Sequence, residues 1–393
     1  MQEKIKELAA KYWPSCVDVR RYLHQHPELS FQEKNTSAYL ERELKRLSPD
    51  QLQRIDDNGL LATIRGNAPG KTLVLRADMD ALPIVETNTH DFVSKKPGVM
   101  HACGHDAHSA MLLTAAKILN ETKMDWSGEV RLLFQPAEEK IPGGATLMIA
   151  GGVLREPVPA GVVGQHVMPA LKSGQVGIRA GKFMASSDEI FITFKGKGGH
   201  GAMPENCIDP VLMAGNFLLA VQQIVSRRSS PKMPSVVSFG KIVGMGATNV
   251  IPDEVSLEGT LRTLDEDWRE EALRLIEKMA NNLAESMGGT CEVTINHGYP
   301  HLYNDPALAS RLKSHLEEYV SAENVIEQDI WMAAEDFAYY SQQVPSCFYL
   351  LGTQGTNGLY QSGLHTPTFD IDEKAMELGS GLMAFLAIKE LEG

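Results

Sequence analysis

The spacing of apolar and polar positions divides the chain into stretches of different period. MQEKIKELAAKYWPS, at the start, has the spacing of an amphipathic helix. KTLVLRADMDALP is an apolar run that ends in acids. It predicts a buried strand with Asp78 and Asp80 at its carboxyl end. HSAMLLTAAKILNET repeats at helical spacing, with Met111, Leu112, Ala115 and Ile118 on one side. GEVRLLFQPAEE predicts a second strand ending in acids, and PAGVVGQHV a short third one ending at His166. Strands alternating with helices predict an α/β fold, a mostly parallel sheet with flanking helices. In such sheets ligands bind beyond the carboxyl ends of the strands, and the acids and histidines lie there.

The pattern changes near Gly181. SSDEIFITFKGKGG alternates like a half-exposed strand, and DPVLMAGNFLLAVQQIVSRR reads as one long amphipathic helix. PSVVSFGKIVGMG and VIPDEVSLEGTLRT are strands separated by a loop that holds Asn249. DEDWREEALRLIEKMANNLAESMG is a second long helix with an acidic first turn and glycines after its end. TCEVTINHGYP closes with a strand. This order is that of a ferredoxin-like α+β unit, placed as an inserted domain at residues 182–293. Residues 1–181 and 294–393 then form one discontinuous domain. Two domains suit 393 residues, too many for one small core.

Charge and cysteines narrow the function classes. Lys and Arg number 37 against 50 Asp and Glu, a formal net charge of -13. That balance argues against nucleic acid, whose phosphates favour basic surfaces. No apolar run is long enough to span a bilayer, and the amino-terminal stretch lacks the apolar core of a signal peptide. The five cysteines are widely spaced with no CxxC, which fits a reducing compartment and a cytoplasmic protein.

Four separated segments hold candidate chemistry. In GVMHACGHDAHSAM, Cys103 and His105 offer a thiolate and an imidazole in a loop feeding a helix, both good ligands for Zn²⁺ or similar cations. The plainer reading is a histidine-rich helix start with Asp106 favourable to its dipole. In FQPAEEK, Glu138 and Glu139 are adjacent. In an extended segment they point in opposite directions, so one can bind a metal while the other reaches a water. His166 follows an apolar strand, where a lone histidine is more often a hydrogen-bonded core residue. His365 lies in the polar SGLHTPTFD loop. Together Cys103, His105, Glu139, His166 and His365 are five ligands, enough for two cations if one is shared, with Glu138 beside them as a base. His24 and His26 read as a helix end before a turn at Pro27, and His101 and His108 as packing or hydrogen-bonding residues.

RADMDALP, MHACGHDAH, FQPAEE, GGHGAMP, TNVIPDEV, GTLRT, EDFAYY and LHTPTFD occur in this order across nearly the whole chain. They resemble the amidohydrolase branch of the aminoacylase and glutamate-carboxypeptidase superfamily, which includes hippurate hydrolases, N-acetyl-diaminopimelate deacetylases and indole-acetyl-amino-acid hydrolases. The resemblance implies a site for two divalent cations, Zn²⁺, Mn²⁺, Ni²⁺ or Co²⁺. Cys103 would be shared, His105 and His166 would hold one cation, and Glu139 and His365 the other. Glu138 matches the family's general base. His200 matches a histidine that stabilises the oxyanion, often from the partner subunit, although its glycine neighbours fit a simple turn equally well. Asn249 and Arg262 match positions that hold the substrate carboxylate, a task suited to a guanidinium. The inserted domain matches a lid through which a homodimer forms. Where much of the superfamily has a histidine two residues before an aspartate, this chain reads Asp78-Met79-Asp80. Asp80 is therefore expected to orient a ligand, and the roles of Asp78, Glu335 and Asp336 stay open.

The expected activity is metal-dependent hydrolysis of the amide bond of small N-acyl amino acids. A dipeptidase or carboxypeptidase on the same scaffold would share the cations and differ in the acyl pocket. A noncatalytic homologue would lack a ligand or the base, and none is missing. A phosphatase or nuclease is disfavoured, since no Walker-type phosphate loop is present.

Overall fold

The computed structural model describes residues 1–355 and 360–392. They form two compact units, one of Met1–Gly181, Tyr303–Asp329 and Asp336–Gly393, the other of Lys182–Leu302 and Ile330–Glu335.

The first unit is built on an eight-stranded sheet. Across it the strands run Gln51–Ile55, Gly59–Arg65, Glu129–Gln135, Thr72–Asp78, Gly161–Lys172, Ser346–Gln354, Val176–Ile178 and Val325–Glu327. The four in the middle, from Glu129–Gln135 to Ser346–Gln354, are mutually parallel, as the apolar runs predict. Thr72–Asp78 is buried along its whole length, the mark of a strand covered on both faces. Helices Gln2–Gln25, His105–Glu121 and Ala375–Glu392 pack on one another and share one core with the sheet. His105–Glu121 differs from its predicted one-sided pattern: every residue from His105 to Ala116 is buried. It lies between the sheet and the two other helices, so it has no solvent face to keep polar.

Two departures from the expected strands shape the edge where the site lies. The strand read as ending at His166 continues to Lys172. It pairs with Ser346–Gln354 throughout, but with Thr72–Asp78 only as far as Arg76 opposite Gly164. Beyond that point, on the side that Thr72–Asp78 has left, the N–H of Val167 meets the ring of His108 instead of a strand. The second departure is at the acids. Glu129–Gln135 ends before them, and Ala137 turns the chain with a left-handed φ of 54°. Glu138 and Glu139 therefore sit on a bend, not in an extended strand.

The second unit has four antiparallel strands, in the order Ser235–Val243, Glu254–Thr263, Asp188–Lys195 and Thr290–His297. Helices Pro210–Ala220 and Glu266–Ser286 pack against them. Asp209 and Asp265 cap these helices, each accepting backbone N–H groups of the first turn. Arg269 grips Asp188 with two hydrogen bonds of 2.8 and 2.6 Å inside the unit. The predicted single helix from Asp209 to Arg228 is interrupted after Ala220 and resumes as a π turn, Ile224–Arg228. Its exposed side is apolar, with Val211, Leu212 and Leu219 in solvent.

Gly104 fixes how the buried helix starts. Its φ is 87°, and a Cβ there would lie 2.4 Å from Val167 Cγ2. Gly104→Ala combines left-handed strain with overpacking. It is expected to cost about 2–4 kcal/mol in a denaturant unfolding series. A loss below about 0.5 kcal/mol, the range of an ordinary surface change, would show that the turn is not needed.

Candidate metal centre

The edge just described gathers the predicted donors. Asp78 ends one parallel strand, Glu138 and Glu139 follow the next, His166 lies in the third, and Cys103 and His105 start the buried helix. The donor atoms of Cys103, His105 and His166 lie within 4.8 Å of one another, and so do those of Cys103, Glu139 and His365. Cys103 belongs to both groups. Its Sγ is 3.4 Å from His166 Nε2. Glu139 Oε1 is 3.2 Å from His365 Nε2 and 3.8 Å from His105 Nε2. His365 reaches the cluster from a left-handed backbone position, φ 60°, and its N–H donates to the carbonyl of Ala102.

Asp80 ties these pieces together. One carboxylate oxygen accepts from His105 Nδ1 at 3.2 Å and from the backbone N–H of Glu138 at 3.0 Å. The other accepts from Ser30 Oγ at 2.7 Å and from the N–H of Glu139 at 2.9 Å. With Nδ1 donating to Asp80, His105 turns Nε2 toward Glu139. His166 is fixed similarly. Its Nδ1 donates to the carbonyl of Val167 at 2.7 Å, which leaves Nε2 facing Cys103.

His108 is excluded as a donor by its own hydrogen bonds. Val167 N–H donates to its Nε2 at 2.9 Å, so Nδ1 carries the proton and gives it to Asp78 at 2.6 Å. That Val167 N–H is available because the neighbouring strand has already ended. Asp78 also accepts from Arg76 at 2.6 Å, and Arg76 reaches Asp336 at 2.7 Å. Asp336 further accepts from Gln135 and from the N–H of Ala145. Asp336, left open by sequence, stands just before the short helix Ala338–Ser341 and is a buried partner of Arg76. Glu335 is buried too.

Two polar atoms in the cluster, His105 Nε2 and Glu139 Oε1, are buried without a hydrogen-bond partner among the described residues. A buried polar atom left unpaired is costly, and two such donors facing one another suit a cation between them. The electrostatics agree. Burial alone would lower the His105 pKa, but Asp78 and Asp80, with Glu139, outweigh it and raise it to about 10, so the surrounding negative charge favours a positive charge at Nε2, and a cation bound there would take the place of its proton. Burial, with Glu139, Glu138 and Asp78 nearby, pushes the Cys103 thiol well above its usual range. A thiol held in that form is a poor nucleophile, whereas bound to a cation it would be deprotonated. A thiolate, imidazoles and a carboxylate are the donor set of borderline divalent cations.

The model of peptidase family M20/M25/M40 matches residues 74–389. The chain belongs to this family. It is accordingly a hydrolase of the amidohydrolase and peptidase kind. An N-acyl-L-amino acid amidohydrolase of Geobacillus stearothermophilus is 43% identical over 303 residues, 77% of this chain and 81% of the relative. Thermostable carboxypeptidase 2 of Saccharolobus solfataricus is 37% identical over 390 residues, 98% of each chain. The crystal structure of YXEP from Bacillus subtilis, described as a dinuclear metal binding peptidase of the M20 family, superposes with a TM-score of 0.83. It is 32% identical, covering 98% of this chain and 99% of that one.

The remaining predicted residues of this M20 chain lie in the second unit. His200 is exposed on the short strand Gly199–His200, opposite Val250. Its Nδ1 accepts from the N–H of Ala202 at 3.1 Å, which leaves Nε2–H as an outward donor. Asn249 is exposed, and its carbonyl accepts from the N–H of Gly201 at 2.8 Å. Arg262 is half-buried on Glu254–Thr263. Burial lowers its pKa. No carboxylate lies at ion-pair distance from it among the described residues, although Asp188 and Glu189 are near enough to act on its charge.

Sequence reasoning missed Ser30, which holds Asp80, and undervalued His24. His24 is buried, with Nδ1 2.8 Å from Asp106 and Nε2 3.1 Å from Glu86. Asp106 follows His105, and Arg20 also pairs with it. The signal was present in the HQHPELS stretch, but its partners lie far along the chain. His101 is buried with neither ring nitrogen hydrogen-bonded among the described residues, so packing alone remains of its expected role.

His24 gives a pH test. Burial would lower its pKa, and hydrogen bonds to Asp106 and Glu86 overcome this and raise it to about 9. The folded value exceeds the unfolded one of about 6.5. The protonated ring therefore adds stability that is complete below about pH 6.5 and is lost as pH rises through about 9. Unfolding free energy measured across that window should fall in the wild type and fall less in His24→Gln. Parallel curves would contradict the assignment.

Proposed function

We propose that this chain is a dinuclear metal-dependent amidohydrolase that cleaves the amide bond of N-acyl amino acids. The observation that carries the reading is the pair of donor groups meeting at Cys103. In this assignment Cys103 is shared, His105 and His166 hold one cation, and Glu139 and His365 hold the other. Zn²⁺, Mn²⁺, Ni²⁺ and Co²⁺ all suit this donor set. When bound, the cations supply Lewis-acid polarisation of the amide carbonyl and a more acidic water.

The chain's own groups do the rest. Glu138, next to Glu139 and nine-tenths buried, takes the proton from water and later gives it to the leaving amine. Asp80 keeps Glu138 and His105 in register through the hydrogen bonds above. His200 donates Nε2–H to the oxyanion, and Asn249 and Arg262 hold the substrate carboxylate. That Arg262 makes no ion pair among the described residues supports that role, because a substrate carboxylate would supply a direct counter-charge. The chain works as a homodimer, a reading supported by the apolar outer face of Pro210–Ala220, where Leu212 is 56% and Leu219 78% exposed. No helix among the described residues is long and apolar enough to cross a membrane. The five cysteines are unpaired, as in a reducing compartment such as the cytoplasm.

A peptidase reading on the same donors is favoured by the carboxypeptidase relative. N-acetyl and N-benzoyl amino acids assayed beside dipeptides, after metal stripping and reconstitution with each cation, separate the two. N-acyl amino acids should give the higher kcat/KM. A preference for dipeptides would favour the peptidase. Glu138→Ala should keep its metal content and lose about 10²–10⁴-fold in kcat, the usual contribution of a general base. Near-normal turnover in that variant would remove Glu138 from the reaction. Glu138→Ala mixed with His200→Ala should regain activity if His200 acts on the partner's substrate. No gain after proven subunit exchange would place its action within one subunit.

A further inference from the structure

The bend that carries Glu138 and Glu139 depends on a residue with no role in the scheme above. Ala137 immediately precedes the two acids and has a φ of 54°, a region that residues with a Cβ rarely adopt. Its N–H donates at 2.8 Å to Oε1 of Glu33. The same oxygen accepts at 3.0 Å from the N–H of Phe31, which is also left-handed, with a φ of 65°. Glu33 Oε2 accepts from Asn58 Nδ2 at 3.0 Å. One fully buried carboxylate oxygen thus serves two strained backbone positions far apart in sequence. Strained backbone persists only where the surroundings over-determine it, and such positions cluster at functional sites.

Glu33 and Asp80 act on successive amides of one bend. Glu33 takes the N–H of Ala137, and Asp80 takes those of Glu138 and Glu139. Asp80 alone fixes the two acids relative to His105 but leaves the turn that leads into them free to relax. Relaxing Ala137 toward ordinary negative φ would rotate the peptide that follows and swing both acids off the cluster.

We infer that Glu33 is a positioning residue that holds the left-handed turn at Ala137 and so aims Glu138 and Glu139 at the cation site. This rests on the roles proposed above for those two acids. Glu33 touches neither substrate nor cation in this account; it acts through the backbone.

The test compares Glu33→Gln, Glu33→Ala and Glu33→Ala/Ala137→Gly in the full chain. Readouts are Zn²⁺ affinity by calorimetry on metal-stripped protein, and kcat and KM on an N-acyl amino acid. Glu33→Gln keeps an oxygen for both N–H groups. Asn58 Oδ1, buried without a partner among the described residues, can turn to accept from the new amide. That variant should stay within about threefold of wild type. Glu33→Ala should lose about tenfold in Zn²⁺ affinity and at least tenfold in kcat, with KM little changed. Ala137→Gly, which removes the steric penalty of the left-handed turn, should recover a good part of both losses. Wild-type affinity and kcat in a folded Glu33→Ala overturn the inference, as does a loss that the glycine does not recover. If Glu33→Ala does not fold, the double variant decides. Recovery of fold and Zn²⁺ affinity supports the inference, and failure of either overturns it. Glu138→Ala run alongside keeps the two readings apart. If it retains turnover, the role of Glu138 fails, and the Zn²⁺ affinities still judge the hold of Glu33 on Glu139.

Discussion

The site depends on one buried carboxylate. Asp80 accepts four hydrogen bonds from donors at Ser30, His105, Glu138 and Glu139. These residues belong to a loop after the first helix, the start of the buried helix, and the bend after a parallel strand. The hydrogen bonds keep Asp80 ionised despite its burial, so its pKa falls below the usual value. Hydrogen bonds to a charged acceptor are about twice as strong as neutral ones, and a buried charge with every lone pair used is rigid. Removing it would free the His105 ring and the acid bend together.

Around Asp80 the fold arranges where backbone pairing stops. Thr72–Asp78 ends its pairing with Gly161–Lys172 at Arg76, which frees the N–H of Val167 for His108. His108 in turn holds Asp78, and Arg76 balances Asp78 and Asp336. The result is an apolar interior with a charged wall at the strand ends. Arg76, Asp78 and Asp336 are paired there, as burial requires. Among the described residues, His105 Nε2 and Glu139 Oε1, buried without a hydrogen bond, lie where the cations are proposed.

Much of this was legible in the sequence because it is local. Apolar runs ending in acids gave the parallel strands, and Cys103 with His105 stood out by donor type alone. The distant donors Glu139, His166 and His365 could be joined to them only through the order of motifs. What sequence reading lost was long-range or conformational. No local pattern announces that Ala137 is left-handed, since alanine favours other regions. The hydrogen bonds of Ser30 to Asp80, Glu33 to Ala137 and His24 to Asp106 span 50 or more residues. The role of Asp336 stayed open because its partner, Arg76, is 260 residues earlier. The helix from Asp209 was read as one amphipathic piece, yet its exposed side carries Val211, Leu212 and Leu219 beside Asn216. Periodicity reports burial in general and cannot say whether another part of this chain or a second copy does the covering.

The central claim is that two cations share the Cys103 thiolate. Co²⁺ substitution tests it most directly, through metal content and the near-ultraviolet absorption of a thiolate-to-cobalt transition. The account predicts two Co²⁺ per chain, with an absorption that keeps growing from the first equivalent to the second and disappears in Cys103→Ser. A single Co²⁺ per chain, or an absorption that persists in Cys103→Ser, would contradict it.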